Sequence, residues 1–169
     1  MTLRKLDYKD IPFLLEWMHD DDIIKIFQHD FKKETEESQK KFIDNSFTDT
    51  LRTYAVVDEN DEYLGSISLK NIDLDSSQAE YAVCLRKKCQ GTGIAKEATK
   101  TILDIAFNEM NLNRVYLNVL EENIRAYKFY EKFGFIYEGT FKESINIRGE
   151  FKDLKWYRML KKEYERLYK

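Results

Sequence analysis

The chain has 169 residues, with 28 Lys plus Arg against 31 Asp plus Glu, a net charge of −3. So balanced a charge gives no global drive toward nucleic acid or an anionic membrane. The sequence also has no apolar run of bilayer length and no signal-peptide core near its start. The expectation is one soluble cytoplasmic domain over residues 1–169, since one Pro, six Gly and no repeat or linker leave nothing to divide it. Cys84 and Cys89 lack His or Cys partners at metal-ligand spacing, so free thiols and no metal are expected.

Residues 2–6 read as an edge strand. A helix follows over 10–18, with Ile11, Leu14, Leu15 and Met18 on one face and Pro12 in its first turn. Residues 23–46 read as helical but broken and highly charged. Runs 53–57 and 63–72 make a hairpin around the polar turn 58–62, and 77–85 is the next strand. Ile94, Ala98, Ile102, Ile105 and Ala106 recur at helical spacing, which predicts a long amphipathic helix over 93–110. Residues 114–120 are β-rich. Ala126, Phe129, Tyr130 and Phe133 stripe a short helix that ends at Gly134, a natural C′ residue. Strands at 135–141 and 153–160 and a frayed polar tail at 161–169 complete a mixed α/β chain.

The segment Gln90-Gly91-Thr92-Gly93-Ile94-Ala95-Lys96 stands between a strand and the long helix. Two glycines there let the backbone approach a ligand closely, and the first turn of the helix leaves N–H groups free at the positive end of its dipole. The pattern suits a phosphate. It lacks the Gly-Lys-Ser/Thr of a P-loop, and it comes too late in the chain for a dinucleotide fingerprint. A third kind of cradle, Gln/Arg-x-x-Gly-x-Gly/Ala, wraps the pyrophosphate of coenzyme A, and Gln90, Gly93 and Ala95 match it in order.

A second block, Asn-Ile-Arg-Ala-Tyr-Lys-Phe-Tyr-Glu-Lys-Phe-Gly-Phe, runs over 123–135. Together with Ala79-Glu80, the cradle, Leu112-Asn113-Arg114 and Gly149-x-x-x-Asp153, it resembles the GNAT superfamily of acetyl-CoA-dependent N-acetyltransferases. Within that superfamily it is similar to the RimJ/RimL-like branch, which includes spermidine acetyltransferases. The resemblance implies a twisted, mostly antiparallel sheet whose parallel central strands splay apart to admit the pantetheine arm. It also implies direct transfer of an acetyl group to an amine, acetyl-CoA as co-substrate and no metal. It leaves a homo-oligomer open.

Such a transfer needs a base for the amine, donors for the oxyanion and a proton for the departing thiolate. Glu80, on the strand leading into the cradle, is placed to act as base through a water; a solvated or ion-paired carboxylate is the plainer reading. Spacing alone sets Tyr130 on the apolar stripe as a core residue, and the resemblance makes it the general acid. Tyr127 lies off the stripe. Asn123 reads both as a helix N-cap and as a donor to pantetheine amides. By the same resemblance, backbone groups of Val83, Cys84 and Leu85 pair with the pantetheine arm. Arg86-Lys87-Lys88-Cys89 departs from the family pattern of a Pro and an aromatic before the Gln. Arg86, Lys87, Lys88 and Lys96 are candidates for the coenzyme A phosphates, against the reading of a solvated basic run.

The acceptor is read least sharply. Asp20, Asp21 and Asp22, with Glu34, Glu36 and Glu37 beyond, stand where the branch forms its acceptor side; acidic walls there suit a polyamine, and a charged helical surface is the alternative. Trp17, Phe27 and Phe31 are candidate pocket aromatics. The primary amine of a small molecule, polyamine-like or an amino sugar, is the leading acceptor. A protein N-terminus and a non-catalytic acyl-CoA-binding module stand beside it.

Overall fold

A computed structural model describes residues 1–169. Seven strands form one sheet: β1 (Thr2–Lys5), β2 (Arg52–Val57), β3 (Tyr63–Asp73), β4 (Gln78–Leu85), β5 (Arg114–Leu120), β6 (Ile136–Ile147) and β7 (Glu150–Leu160). Their order across the sheet is β1-β2-β3-β4-β5-β7-β6. Every neighbouring pair is antiparallel except β4 and β5, which run parallel at the centre. The flanking helices are α1 (Ile11–Met18), α2 (Asp21–Ile24), α3 (Glu36–Asp44), α4 (Ile94–Asp104), α5 (Ile124–Phe133) and α6 (Lys161–Tyr168). The sequence-based expectation of a mixed, mostly antiparallel α/β sheet flanked by helices is met. No helix is long and apolar enough to cross a membrane.

The central pair separates soon after it forms. Strands β4 and β5 are in register only at Gln78/Arg114, Ala79/Val115 and Glu80/Tyr116. Beyond that, residues 81–85 keep partners in β3 alone and residues 117–120 in β7 alone. The facing edges therefore carry backbone groups with no ladder partner, which a strand sustains only where water or a ligand completes them.

Apolar clusters cover both faces of the sheet. The larger joins the central strands to α4, α5 and α6 through Ile67, Ile102, Phe107, Leu117, Phe133 and Tyr164. The smaller packs α1 and α3 over the β1–β3 end through Leu6, Leu14, Ile43, Ala55 and Tyr63.

Three elements differ from expectation. The tail at 161–169 is not frayed but forms α6, because Tyr164 and Tyr168, one turn apart, both face inward. Tyr164 is fully buried against Phe107, and its hydroxyl donates to Asp104 at 2.8 Å. Glu163 starts that helix by accepting from Leu160 N–H at 2.8 Å. Strands β6 and β7 run further than the predicted 135–141 and 153–160. They meet in a two-residue turn at Arg148 and Gly149, both left-handed with φ of 51° and 86°. Most of their added residues are exposed and held by the ladder, although Ile147 is buried at the tip. Finally, the broken helix of 23–46 resolves into α2, a 3₁₀ turn and α3. Thr35 starts α3 by accepting from Ser38 N–H at 3.2 Å.

Candidate active site

The cradle is built as its glycines require. Gly91 and Gly93 have φ of 74° and 87°, a left-handed geometry that a side chain strains. A Cβ at either would meet nothing within 4 Å, so the space over the loop is open to a ligand. Gly93 caps α4 without a side-chain acceptor, and the chain turns helical with Lys96 and Glu97 N–H donating to Gly93 O at 3.0 and 3.1 Å. The amides of Gly91, Gly93 and Ala95 have no acceptor within the protein, at the positive end of an eleven-residue helix. These are the features of an anion site.

From this loop a cavity of about 870 Å³ runs through the gap between β4 and β5 to the opposite face of the sheet. Strand alternation decides which backbone groups face it. Arg86 N–H donates to Leu64 O at 2.8 Å on the β3 side, whereas Ser77 O accepts from Asn113 and Arg114 N–H at the entry to β5. Odd-numbered residues of β4 thus turn their amides to the gap, and Val83 and Leu85 are among them. Cys84 turns its amide to β3, and its side chain packs toward the smaller core.

Tyr130 stands over the gap from α5. It is 9% exposed, with edge-to-face contacts to Tyr81, Phe129 and Phe135 at 5.9, 5.5 and 5.8 Å. Its ring lines the cavity, and its hydroxyl bonds no other side chain. Burial, with a smaller push from the Cys84 thiol, raises it to about 12. Asn123 caps α5, its Oδ1 accepting from Ala126 N–H at 3.3 Å, and it lines the cavity as well.

Glu80 is 7% exposed on the other side of the gap, at the last residue of the β4–β5 ladder. Asn71 Nδ2 donates to its Oε2 at 2.7 Å and Asn118 Nδ2 to its Oε1 at 3.0 Å; Lys70 Nζ lies 3.0 Å from Oε1. Adjacent residues of a regular strand point to opposite faces. Here Lys70 and Asn71 both reach Glu80, because the β3–β4 register slips between Lys70 and Asp73 and Asn71 is left-handed at φ 49°. Three donors occupy three of about four acceptor positions of a carboxylate, leaving one for a water.

The structure thus brings Glu80, Val83, Leu85, Gln90, Gly91, Gly93, Ala95, Lys96, Asn123 and Tyr130 around one cavity. It does not bring Cys84, Thr92 or Ile94 to its lining. Thr92 donates its hydroxyl to Cys89 O at 2.7 Å, and Ile94 packs on the larger core. The basic run before the cradle is engaged elsewhere: Arg86 with Glu16 and Glu62, Lys87 with Asp20, Lys88 with Glu62. Only Lys96 of the four candidate cations lines the cavity, joined on the cradle side by Arg125 and Lys132, which the sequence reading missed, and across the gap by Lys70. The signal of Arg125 and Lys132 is the spacing Arg125, Phe129, Lys132 along one face of α5.

The expected acidic wall is not at the cavity. Asp20 pairs with Lys87 at 2.7 Å, Asp21 with Lys32 at 2.5 Å, and Asp22 with Lys87 and Lys25 at 3.6 and 3.8 Å. Glu34 holds His29 at 2.7 Å, and Glu36 and Glu37 pair along α3 with Lys40 and Lys41. Ile26, Phe27 and Gln28 line this end instead, with Phe27 packed on Trp17 and Phe31. Tyr127 lies under Lys155, outside the cavity. No cluster of His, Cys, Asp or Glu is arranged to hold a metal ion.

Comparison with known proteins agrees with this geometry. Residues 1–136 match the acetyltransferase (GNAT) domain family. The spermidine N(1)-acetyltransferase of Vibrio cholerae is 27% identical over 164 residues, which cover 97% of this chain and 95% of that protein. The crystal structure of the Vibrio cholerae spermidine N-acetyltransferase with CoA and spermine superposes with a TM-score of 0.88 at 27% identity, covering 97% of each chain. A putative ribosomal N-acetyltransferase of Bacillus subtilis, YdaF, is 34% identical over 101 residues, covering 60% of this chain and 55% of that one. With a family match over most of its length and a fold to suit, the chain belongs to the GNAT acetyltransferases, acyltransferases that use acetyl-CoA as co-substrate.

Proposed function

We propose that this acetyltransferase moves an acetyl group directly, within a ternary complex, to a primary amine of a small molecule. The observation that carries the reading is the single cavity that joins the cradle on one face to Glu80 on the other, with the free hydroxyl of Tyr130 opening onto it. Bound acetyl-CoA supplies an activated thioester carbonyl. The free amides of Gly91, Gly93 and Ala95, with Lys96, Arg125 and Lys132, suit its phosphates; Val83, Leu85 and Asn123 suit the pantetheine arm. Glu80, through a water at its remaining acceptor position, takes the proton of the amine. Tyr130, its proton held firmly by burial, gives one to the departing thiolate. Burial raises the Cys84 thiol to about 12 and also raises that of Cys89, so neither suits an acetyl-cysteine intermediate.

The names of the spermidine acetyltransferase relatives support a polyamine-like acceptor. The match to the ribosomal acetyltransferase favours a peptide N-terminus as second reading. We take residues 1–169 as one acetyltransferase domain of the cytoplasm, where two free thiols such as Cys84 and Cys89 are at home. The test is release of free thiol from acetyl-CoA with spermidine, an amino-sugar nucleotide or a short peptide supplied in turn. Release with spermidine or the amino sugar is expected. Release with the peptide alone replaces this reading by the second, and none with any amine removes the transfer activity.

A further inference from the structure

The two oxygens of Glu80 are held unequally. A carboxylate oxygen accepts about two hydrogen bonds. Oε1 is engaged twice, by Asn118 Nδ2 at 3.0 Å and by the Lys70 ammonium at 3.0 Å. Oε2 is engaged once, by Asn71 Nδ2 at 2.7 Å, and so carries the acceptor position that stays open. Lys70 is long and 44% exposed, and water shares its pull on Oε1. Asn71 is short, and the bend of β3 brings it there. Leu69 and Ile72, three residues apart, both enter the larger core, which the alternation of a regular strand forbids. The register slip after Lys70 and the left-handed φ of 49° at Asn71 make it possible, and Ile72 N–H donates to Thr50 O at 3.0 Å beyond the bend. Asn71 is thereby turned to the face of Glu80, and Asn is one of the few side chains that accept such a backbone. Glu80 and Asn118 line the cavity, and Asn71 stands behind them.

We infer that Oε2 is the oxygen of Glu80 that takes the proton of the acceptor amine, and that Asn71 is its positioning residue, acting through Glu80 without touching acceptor or acetyl-CoA. The inference rests on the amine-acetylation reading above and deepens it. In that step a water at Oε2 passes a proton to it and receives one from the acceptor ammonium. The nitrogen lone pair so freed bonds to the thioester carbon, the carbon–sulfur bond breaks, and the thiolate takes the proton of Tyr130. The amide of Asn71 fixes the direction of the open lone pair and brings no charge to the site. Without it Oε1, still held by Asn118 and Lys70, becomes a pivot about which Oε2 swings, and the water loses its fixed place. Such a loss falls on the transition state and not on binding.

Asn71→Gly tests this, since Gly keeps the left-handed backbone and removes only the amide, whereas Asn71→Ala removes the amide and strains the backbone as well. With the amine that releases most thiol in the test above, kcat and KM are measured for the wild type, both variants, Glu80→Gln and the double variant Asn71→Gly with Glu80→Gln. Acetyl-CoA affinity is followed by calorimetry and folding by Tm. Asn71→Gly is expected to keep Tm, acetyl-CoA affinity and, within about twofold, the KM of the amine, while kcat falls roughly 10- to 100-fold. Asn71→Ala shares that fall and lowers Tm. In the Glu80→Gln background, where the base is already lost, Asn71→Gly adds less than about twofold. Normal turnover in Asn71→Gly overturns the proposal, because Asn71 then serves only the bend. A loss of equal size in the Glu80→Gln background overturns it too, as does a raised KM at unchanged kcat, which would put Asn71 in contact with the acceptor. Full turnover in Glu80→Gln removes Glu80 as base and the inference with it, while transfer itself stands. Absence of transfer to any amine by the wild type, with acetyl-CoA still bound, overturns the amine-acetylation reading and this inference together.

Discussion

Among the buried tyrosines, the hydroxyl decides which are structural. Tyr81 bonds Thr99 at 2.9 Å, Tyr157 bonds Glu131 at 2.8 Å, and Tyr164 bonds Asp104 at 2.8 Å. Tyr63 lacks a partner but lies in the smaller core, away from the cavity. Tyr130 alone combines a free hydroxyl with a place on the cavity wall. Replacing it by Phe keeps the packing on Tyr81 and Phe135, so Tyr130→Phe is expected to leave acetyl-CoA affinity unchanged and to lower kcat roughly 10- to 1,000-fold. Steady-state kinetics with calorimetry checks this, and normal turnover would make Tyr130 a packing residue. Burial raises Tyr130 to about 12, so it stays protonated as the amine titrates. The wild-type kcat should climb with pH and show no alkaline fall below about pH 11; a fall near neutrality would point to another acid. At this scale the sequence was legible where a residue type is scarce and its spacing is set by chemistry, as with Gly91 and Gly93. It was not legible for Arg86, Lys87 and Asp20, whose partners come from distant parts of the chain that no local pattern reveals.

The elements show the same division. Strand β4 and helix α4 were readable because each carries an apolar stripe of its own period. Helix α6 was not, because only Tyr164, Leu167 and Tyr168 break an otherwise polar run, and the worth of the tyrosines lies in the groove that α4 and α5 offer them. There Tyr168 stacks on Phe133 at 5.1 Å and donates to Phe133 O at 2.6 Å. Removing the ring of Tyr164 leaves a cavity beside Phe107 and takes one donor from Asp104, which keeps those of Lys100 and Asn108. Tyr164→Ala is expected to cost about 3–5 kcal/mol, and Tyr164→Phe only about 1 kcal/mol. Chemical denaturation of the two variants checks this; similar losses in both would place the weight on the hydrogen bond rather than on packing.

For the whole molecule, the parting of β4 and β5 means that the sheet is complete only when something occupies the gap. Saturating acetyl-CoA at 100 times its Kd should raise stability by about 2.7 kcal/mol, seen as a higher Tm. The same addition should slow hydrogen exchange at Val83 and Leu85 while leaving Cys84, already turned to β3, unchanged. Equal protection at all three amides would count against the strand-like seating of the pantetheine arm. The Ile26–Gln28 end of the cavity is built more lightly. The guanidinium of Arg148, at the tip of the β6–β7 hairpin, donates to Phe27 O and Ile24 O at 3.3 and 3.4 Å, spanning 121 and 124 residues of chain. Ile26 and Gln28 belong to neither core cluster, and Phe27 only packs against the edge of one. On the proposed reading this segment would meet the acceptor, and it can be exchanged at small cost to folding while the cradle stays anchored in the large core. On that reading substrate range and structural integrity are separable, and a library confined to residues 26–28 would vary the first while sparing the second.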